Sequence, residues 1–479
     1  MSTFSRFSYS ALFTGLAIAS GASHAATQTI NLAQPEAVNG AVSVDKNSIT
    51  IARGGDYRLS GDSAGRSLIV NAGDEEVTLI LDGARVISHQ SAALYIQKSG
   101  DVTVRLAEKS DNLISDSDGS VSNDEPQGAL FSRADLRIEG GTGASLTVKG
   151  LREDAIVGKD DLDLRDVTLV VDAKDEGIRG KDSVDIRRSN VQIVAGGDAI
   201  KSDNLEREDK GFVNLEDSDI TISAGDDGIM GANKVDIAGG NLKITQSYEA
   251  IESRYITIHS GNIEVNAKDD GLNVTLKKTA EQKAAAEEER GGRGHGKAID
   301  GLLSIRGGYT IVHSGGDGFD SNGHAEMSGG TLIVNGPLSQ RDGYIDVDGT
   351  FNLTGGTLIA HGSSGMAQTP SDTSTQPIIQ VNLDSPLSTG DHFTIRDAQG
   401  ELLLDYVAPR DFQSLTYSSA LLKKDGSYTV SVGGKEIAQL TLESEITRHG
   451  KAGRGPRGER SWWQFRSDDD RPPRGPRPE

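Results

Sequence analysis

An all-β chain wound as a parallel β-helix, with coils of about 22 residues and a small C-terminal β module, is what three observations in this sequence predict. A small residue followed by a large apolar one recurs as Ala155-Ile156, Gly177-Ile178, Ala199-Ile200, Gly228-Ile229, Ala250-Ile251 and Gly271-Leu272, at spacings of 22, 22, 29, 22 and 21 residues. Each recurrence is followed by short alternating segments such as "VDI", then "VQIVA" or "ITISA", broken by Gly, Asp and Asn. Period-two alternation of this kind indicates strands. Finally, 35% apolar residues, few aromatics and 59 glycines suit a narrow stacked core better than a broad globular one. The constant period carries the prediction, since a sandwich would not repeat one turn chemistry at one spacing. A calcium β-roll would need nonapeptide glycine-aspartate repeats, which this chain lacks.

The elements follow in order. Residues 1–25 read as a signal peptide: Arg6 in a polar start, an apolar run from Ala11 to Ala19, then small Ser23 and Ala25 before the expected cleavage. The mature chain is therefore expected to be secreted or periplasmic. No later segment approaches the roughly 20 apolar residues of a transmembrane helix, and with no Cys neither disulfides nor thiolate sites hold the fold. Residues 26–375 are expected to form the β-helix. In each coil about three short strands bury Ile, Val and Leu and stack at roughly 4.8 Å.

Two interruptions stand out. The 29-residue spacing contains "NLEREDKG", which reads as a loop added to one repeat. An insertion at 275–298, centred on the Ala/Glu/Lys-rich and then Gly/Arg-rich run 277–297, reads as a tolerated excursion. From 376 to 446 the text changes to hairpin-like segments expected to cap the open end of the stack. Residues 447–479, rich in Arg, Gly and Pro, are expected to be a disordered tail.

The formal charge is −22, from 71 acidic against 49 basic residues. This argues against direct binding of nucleic acid or anionic lipid, which need Lys and Arg to meet phosphates, and points to cations instead. If the coils stack, Asp154, Glu176, Asp198, Asp227, Glu249 and Asp270 form a column. Neighbouring charges about 4.8 Å apart repel by roughly 1 kcal/mol in water and 3 to 4 kcal/mol at a protein-surface dielectric. Turn N–H groups could relieve single acids. Doubled acids are harder to relieve that way, and oxygen ligands grouped on turns suit Ca²⁺. The candidate calcium ligands are Asp226, Asp227, Asp269, Asp270, Asn273, Asp317 and Asp320.

The runs "DDGI" and "GDAIKSDN", then "GGDGFDSNG", "GGTLIVNGP" and the stretch "GSSGMAQTPSDTSTQ", resemble those of exported carbohydrate-binding-domain proteins. The resemblance covers nearly all of residues 40–440. It implies a right-handed parallel β-helix with bound calcium, related to family 9 pectate lyases. The implied partners are plant-type acidic polysaccharides, notably polygalacturonate (pectin), with cellulose as a further candidate. The related lyases carry a calcium motif Asp-Asp-x-x-Asp. Here Asp269, Asp270 and Asn273 match one copy and Gly316, Asp317 and Asp320 another, each departing at one position.

Lyase chemistry also needs a base to remove the proton α to the uronate carboxylate. After "GDGFDSNG" only Arg341 precedes the C-terminal module, and Lys297 and Arg306 are placed by no motif. A column of equivalent acids likewise offers no distinguishable acid and base for glycoside hydrolysis. The expectation is a non-catalytic calcium-dependent carbohydrate-binding protein, with a pectate-lyase-like enzyme and a surface adhesin or matrix protein as alternatives. Tyr248, Tyr309 and Tyr344 are the aromatic candidates for sugar stacking, each better read as a packing residue. The oligomeric state is not legible.

Overall fold

The computed structural model describes residues 26–117, 126–277 and 298–453. The expected signal peptide, nearly all of the 275–298 insertion and the tail beyond 453 lie outside the described residues. Among the described residues the regular elements are all strands, and no helix is long and apolar enough to cross a membrane.

The repeat becomes three columns of parallel strands. Ile156–Gly158, Asp161–Arg165 and Thr168–Ala173 pair in parallel with Ile178–Gly180, Ser183–Arg187 and Asn190–Ala195, each partner lying 22 residues later. Those strands pair in turn with the start of Ile229–Gln246 by way of Ile200–Ser202, and with Phe212–Glu216 and Asp219–Ala224. Alternation explains the register. Leu162 and Leu164, Val184 and Ile186, Val213 and Leu215 all point inward and are buried, and a one-residue slip would turn every one of them to solvent. One apolar cluster runs through the stack from Ile30 to Ile378. Each fully buried Ile, Val or Leu contributes roughly 1.5 to 3 kcal/mol.

The small residue before each large apolar one is demanded by the close approach of the next rung. A Cβ on Gly177 would meet the Ala199 carbonyl oxygen at 2.6 Å and Ile193 Cγ2 at 2.7 Å. The extra residues of the 29-residue repeat sit between Ile200–Ser202 and Phe212–Glu216. Buried Asn233 fastens that loop, its Nδ2 donating to the carbonyls of Arg207 at 3.0 Å and Lys210 at 2.7 Å. The 275–298 insertion leaves at the same place in its own repeat, between Leu272–Val274 and Leu302–Ile305.

Both ends depart from simple repetition. The stack starts with Gln28–Asn31 parallel to Gly55–Asp62 and includes an antiparallel pair, Val42–Val44 with Ser48–Ile51. At the other end Phe412–Ser418 lies antiparallel to both Thr357–Gly362 and Ile378–Leu387, so the C-terminal segment continues the large sheet. Only Leu402–Val407, His392–Asp397, Ser427–Val432 and Lys435–Thr441 form a separate antiparallel sheet, over a second apolar cluster that includes Phe393, Phe412 and Val430. The expected start of a disordered tail at 447 is corrected. Ile446–His449 is a strand, parallel to 378–381, because the backbone edge of Ile378–Leu387 offers it hydrogen bonds.

Candidate functional site

Two side-chain rows follow from the register of the first column. Ile156, Ile178, Ile200, Ile229, Ile251, Leu272 and Phe319 are successive inward partners. Two residues before them stand Asp154, Glu176, Asp198, Asp227, Glu249, Asp270 and Asp317. One residue after them, facing outward, stand Val157, Arg179, Lys201, Met230, Glu252, Asn273 and Asp320, with Asp346 paired to Asp320 on the following rung.

The first row is partly a structural device. Asp154 Oδ1 accepts the backbone N–H of Glu176 at 3.2 Å, Asp198 Oδ1 that of Asp227 at 2.9 Å, and Asp270 Oδ1 that of Asp317 at 2.7 Å. Asp317 Oδ1 accepts from Gly343 in the same way. Each of these carboxylates thus clamps the turn of the next rung.

The second row decides what compensates the charge. Arg179 pairs with Asp203 at 2.6 Å and Asp154 at 3.7 Å. Lys201 sits between Asp198 at 2.7 Å and Glu176 at 2.9 Å. Burial alone would lower the Lys201 ammonium, but these two carboxylates raise it far above its usual range, so it stays charged. Burial and the hydrogen bond to Glu176 push Asp154 up to about 8, whereas Glu176, against the pull of burial, is held low by Asp154 and Lys201. The two carboxyls titrate as a pair.

From Met230 onward the row changes character. Asp227, Glu249 and Glu252, all buried, bring one oxygen each within 4.8 Å of one another. Lys277 reaches Glu252 at 2.5 Å. Asn273 donates from Nδ2 to Glu249 Oε2 at 3.0 Å, while its Oδ1 is buried without a hydrogen-bond partner. Further along, burial pushes Asp317 up to about 7 and Asp346 up to about 6. Asp320, partly open to solvent yet densely packed about, is raised further by burial and by the charges of Asp270, Asp317, Asp346 and Glu249. A Cβ on Gly316 would run into the Oδ1 atoms of Asp269 and Asp270, so this turn must lack a side chain.

The sequence-derived candidates therefore divide. Asp270, Asp317 and Asp320 lie together with Asn273, and Asp227 meets Glu249 and Glu252. Asp226 instead groups with Asp198 and Asp227, beside the Lys201 ion pair. Asp269 flanks Gly316. Sequence reasoning passed over Glu252, Asp346, Arg179 and Lys201. All four share the offset of Asn273 from the repeat's inward Ile, Leu or Phe, a signal present in the spacing. Tyr344 is fully buried and its hydroxyl meets Ser414 and Thr416 at 3.0 Å, so it packs and offers no stacking platform; Tyr309 is exposed.

A hard cation fits the oxygens after Met230. They are carboxylates and a buried amide oxygen lacking a donor, the ligand set that Ca²⁺ takes in flexible geometry. The sequence profile of the carbohydrate-binding domain-containing proteins matches residues 45–281. A carbohydrate-binding domain-containing protein of Acetivibrio thermocellus is 32% identical over 201 residues, which span 41% of this chain and 70% of that protein. A polysaccharide lyase-like protein from C. thermocellum, solved as a gadolinium derivative, aligns with 70% of this chain and 98% of its own at 22% identity. Its TM-score of 0.38 is too low for the two folds to be equated. The chain belongs to the family of carbohydrate-binding domain-containing proteins.

Proposed function

We propose that this is an exported calcium-dependent carbohydrate-binding protein, built on a right-handed parallel β-helix, that recognises acidic plant-type polysaccharide such as polygalacturonate. The observation that carries the reading is the convergence of Asp227, Glu249 and Glu252, one oxygen of each within 4.8 Å of the others, on the rungs next to Asn273, whose buried Oδ1 accepts no hydrogen bond. Asp227, Glu249, Glu252, Asn273, Asp270, Asp317 and Asp320 are the residues that would hold the ions. Bound calcium supplies positive charge that uronate carboxylates can share with the protein. The chain's own part is to fix these oxygens on successive rungs and to present them along one face.

A binding role is favoured over elimination by the state of the nearby cations. Lys201 is held charged between two carboxylates, so it is no free base at neutral pH, and Lys277 is paired with Glu252. The deciding experiment measures affinity of the mature protein for polygalacturonate with calcium and with excess chelator, while ultraviolet absorbance follows unsaturated uronates. Calcium-dependent retention without absorbance growth is expected. Growth would make the protein a lyase, and retention indifferent to chelator would remove calcium from the account.

A further inference from the structure

Three cations stand one per rung on the same face as the proposed calcium site, interleaved with Asp135, Asp160 and Asp182. Arg133, Lys159 and Lys181 each follow immediately after a first-column strand, Leu130–Ser132, Ile156–Gly158 and Ile178–Gly180, which pair in register on consecutive rungs. Beside them Phe131 meets Tyr95 edge to face at 5.8 Å, in an apolar cluster with Ala92 and Val157 that is separate from the main core. Lys159 Nζ and Arg133 Cζ stand 5.5 and 5.9 Å from the Phe131 ring centre, and Arg133 Nε donates to the Tyr95 hydroxyl at 3.1 Å.

Among the described residues none of these three cations has a carboxylate partner, in contrast to Arg179 and Lys201 one row away. Burial lowers the Lys159 pKa, and the charges of Arg179 and Lys181 acting on it are opposed by those of Asp203 and Asp154. An external anion can reach Arg133 and Lys159 without being buried, since both are exposed.

We propose that this patch is a direct, calcium-independent subsite for the carboxylates of an acidic polysaccharide, with Tyr95 offering a ring edge to the sugar. The proposal rests on the acidic-polysaccharide reading above. Continuity with the calcium site favours a polymer. From Phe131 the outward row passes through Val157, Arg179, Lys201, Met230 and Glu252 to Asn273. At roughly 4.8 Å per step the two ends lie about 29 Å apart, the reach of an oligosaccharide several sugars long.

The test compares the mature protein with its Arg133→Gln/Lys159→Gln/Lys181→Gln variant, first checking that the melting temperatures agree. Polygalacturonate binding is measured in calcium and in excess chelator, at low and high salt, beside a single-stranded DNA probe. The expected result is salt-sensitive binding by the wild type in chelator, weakened roughly tenfold or more in the variant, with a calcium-supported component surviving. Binding that needs calcium and is unchanged in the variant overturns this subsite and leaves the calcium reading standing. Chelator-resistant binding that the variant loses, with no gain from calcium, does the reverse. Absence of binding under every condition overturns both, and equal capture of DNA overturns the assignment to polysaccharide.

Discussion

Lys201 and Met230 occupy the same register position on adjacent rungs, so an ammonium on one rung is replaced by a thioether on the next. Lys201→Met should take the ammonium away from Asp198 and Glu176. Removing one partner of a buried ion pair costs about 3 to 5 kcal/mol, so the calcium-free variant should melt well below wild type. If acid-only rungs accept calcium, added calcium should recover part of the loss. A deficit identical with and without calcium would count against cation binding along the column.

Asp198 has two tasks, pairing Lys201 at 2.7 Å and accepting the Asp227 N–H at 2.9 Å. Asp198→Ala removes both and leaves a buried N–H and ammonium short of acceptors, a loss of about 2 to 4 kcal/mol. Asp198→Asn keeps an oxygen for the backbone and should cost less. Thermal unfolding of the two variants separates the clamp from the charge, and equal losses would show that the clamp contributes nothing.

The Asp317 carboxyl is pushed up to about 7 by burial, with Asp346, Asp342 and Asp269 adding to the shift. Its folded pKa exceeds the unfolded value near 3.9, so its contribution is fully present below pH 4 and is lost as pH rises toward 7. Asp317→Asn should therefore stabilise the chelator-treated protein at pH 7 by roughly 1 to 3 kcal/mol and leave it unchanged near pH 4. In calcium the sign should reverse, because a ligand is gone. Denaturation midpoints across that range, with and without calcium, check both statements.

His361 behaves oppositely. It is enclosed where the last rungs meet the C-terminal strands, its Nε2 at 2.8 Å from Asn335 Oδ1 and 3.0 Å from the Tyr406 hydroxyl. Burial, then the charge of Arg410, pushes it down to about 3. With an unfolded value near 6.5, the unfolded chain takes up the proton first, so stability is present above pH 6.5 and drains away as pH falls. Between pH 7 and 5 the loss approaches about 2 kcal/mol. His361→Gln should flatten that slope, and an unchanged slope would place the acid sensitivity elsewhere.

The parallel stack was legible because it repeats. Six copies of one small-plus-apolar step, from Ala155-Ile156 to Gly271-Leu272, announce the same environment six times, and period-two alternation says which side chains face inward. The acid column was legible for the same reason. The cations were not, since Arg179 and Lys201 look like ordinary surface residues until register sets them beside acids from neighbouring rungs. The ends were harder still. No repeat announces that Phe412–Ser418 pairs across more than 50 residues with Thr357–Gly362, or that Ile446–His449 adds a strand.

By itself, the sequence determined the all-β class, the 22-residue period, the inward Ile, Val and Leu, and the acids two positions ahead of them, because each is a local pattern enforced at every turn. Tertiary structure alone decided which charges are compensated, which buried oxygen is left without a donor, and how the stack is closed. Those properties depend on distances between rungs, and a charge 22 residues away in the chain becomes the nearest neighbour only once the strands have stacked.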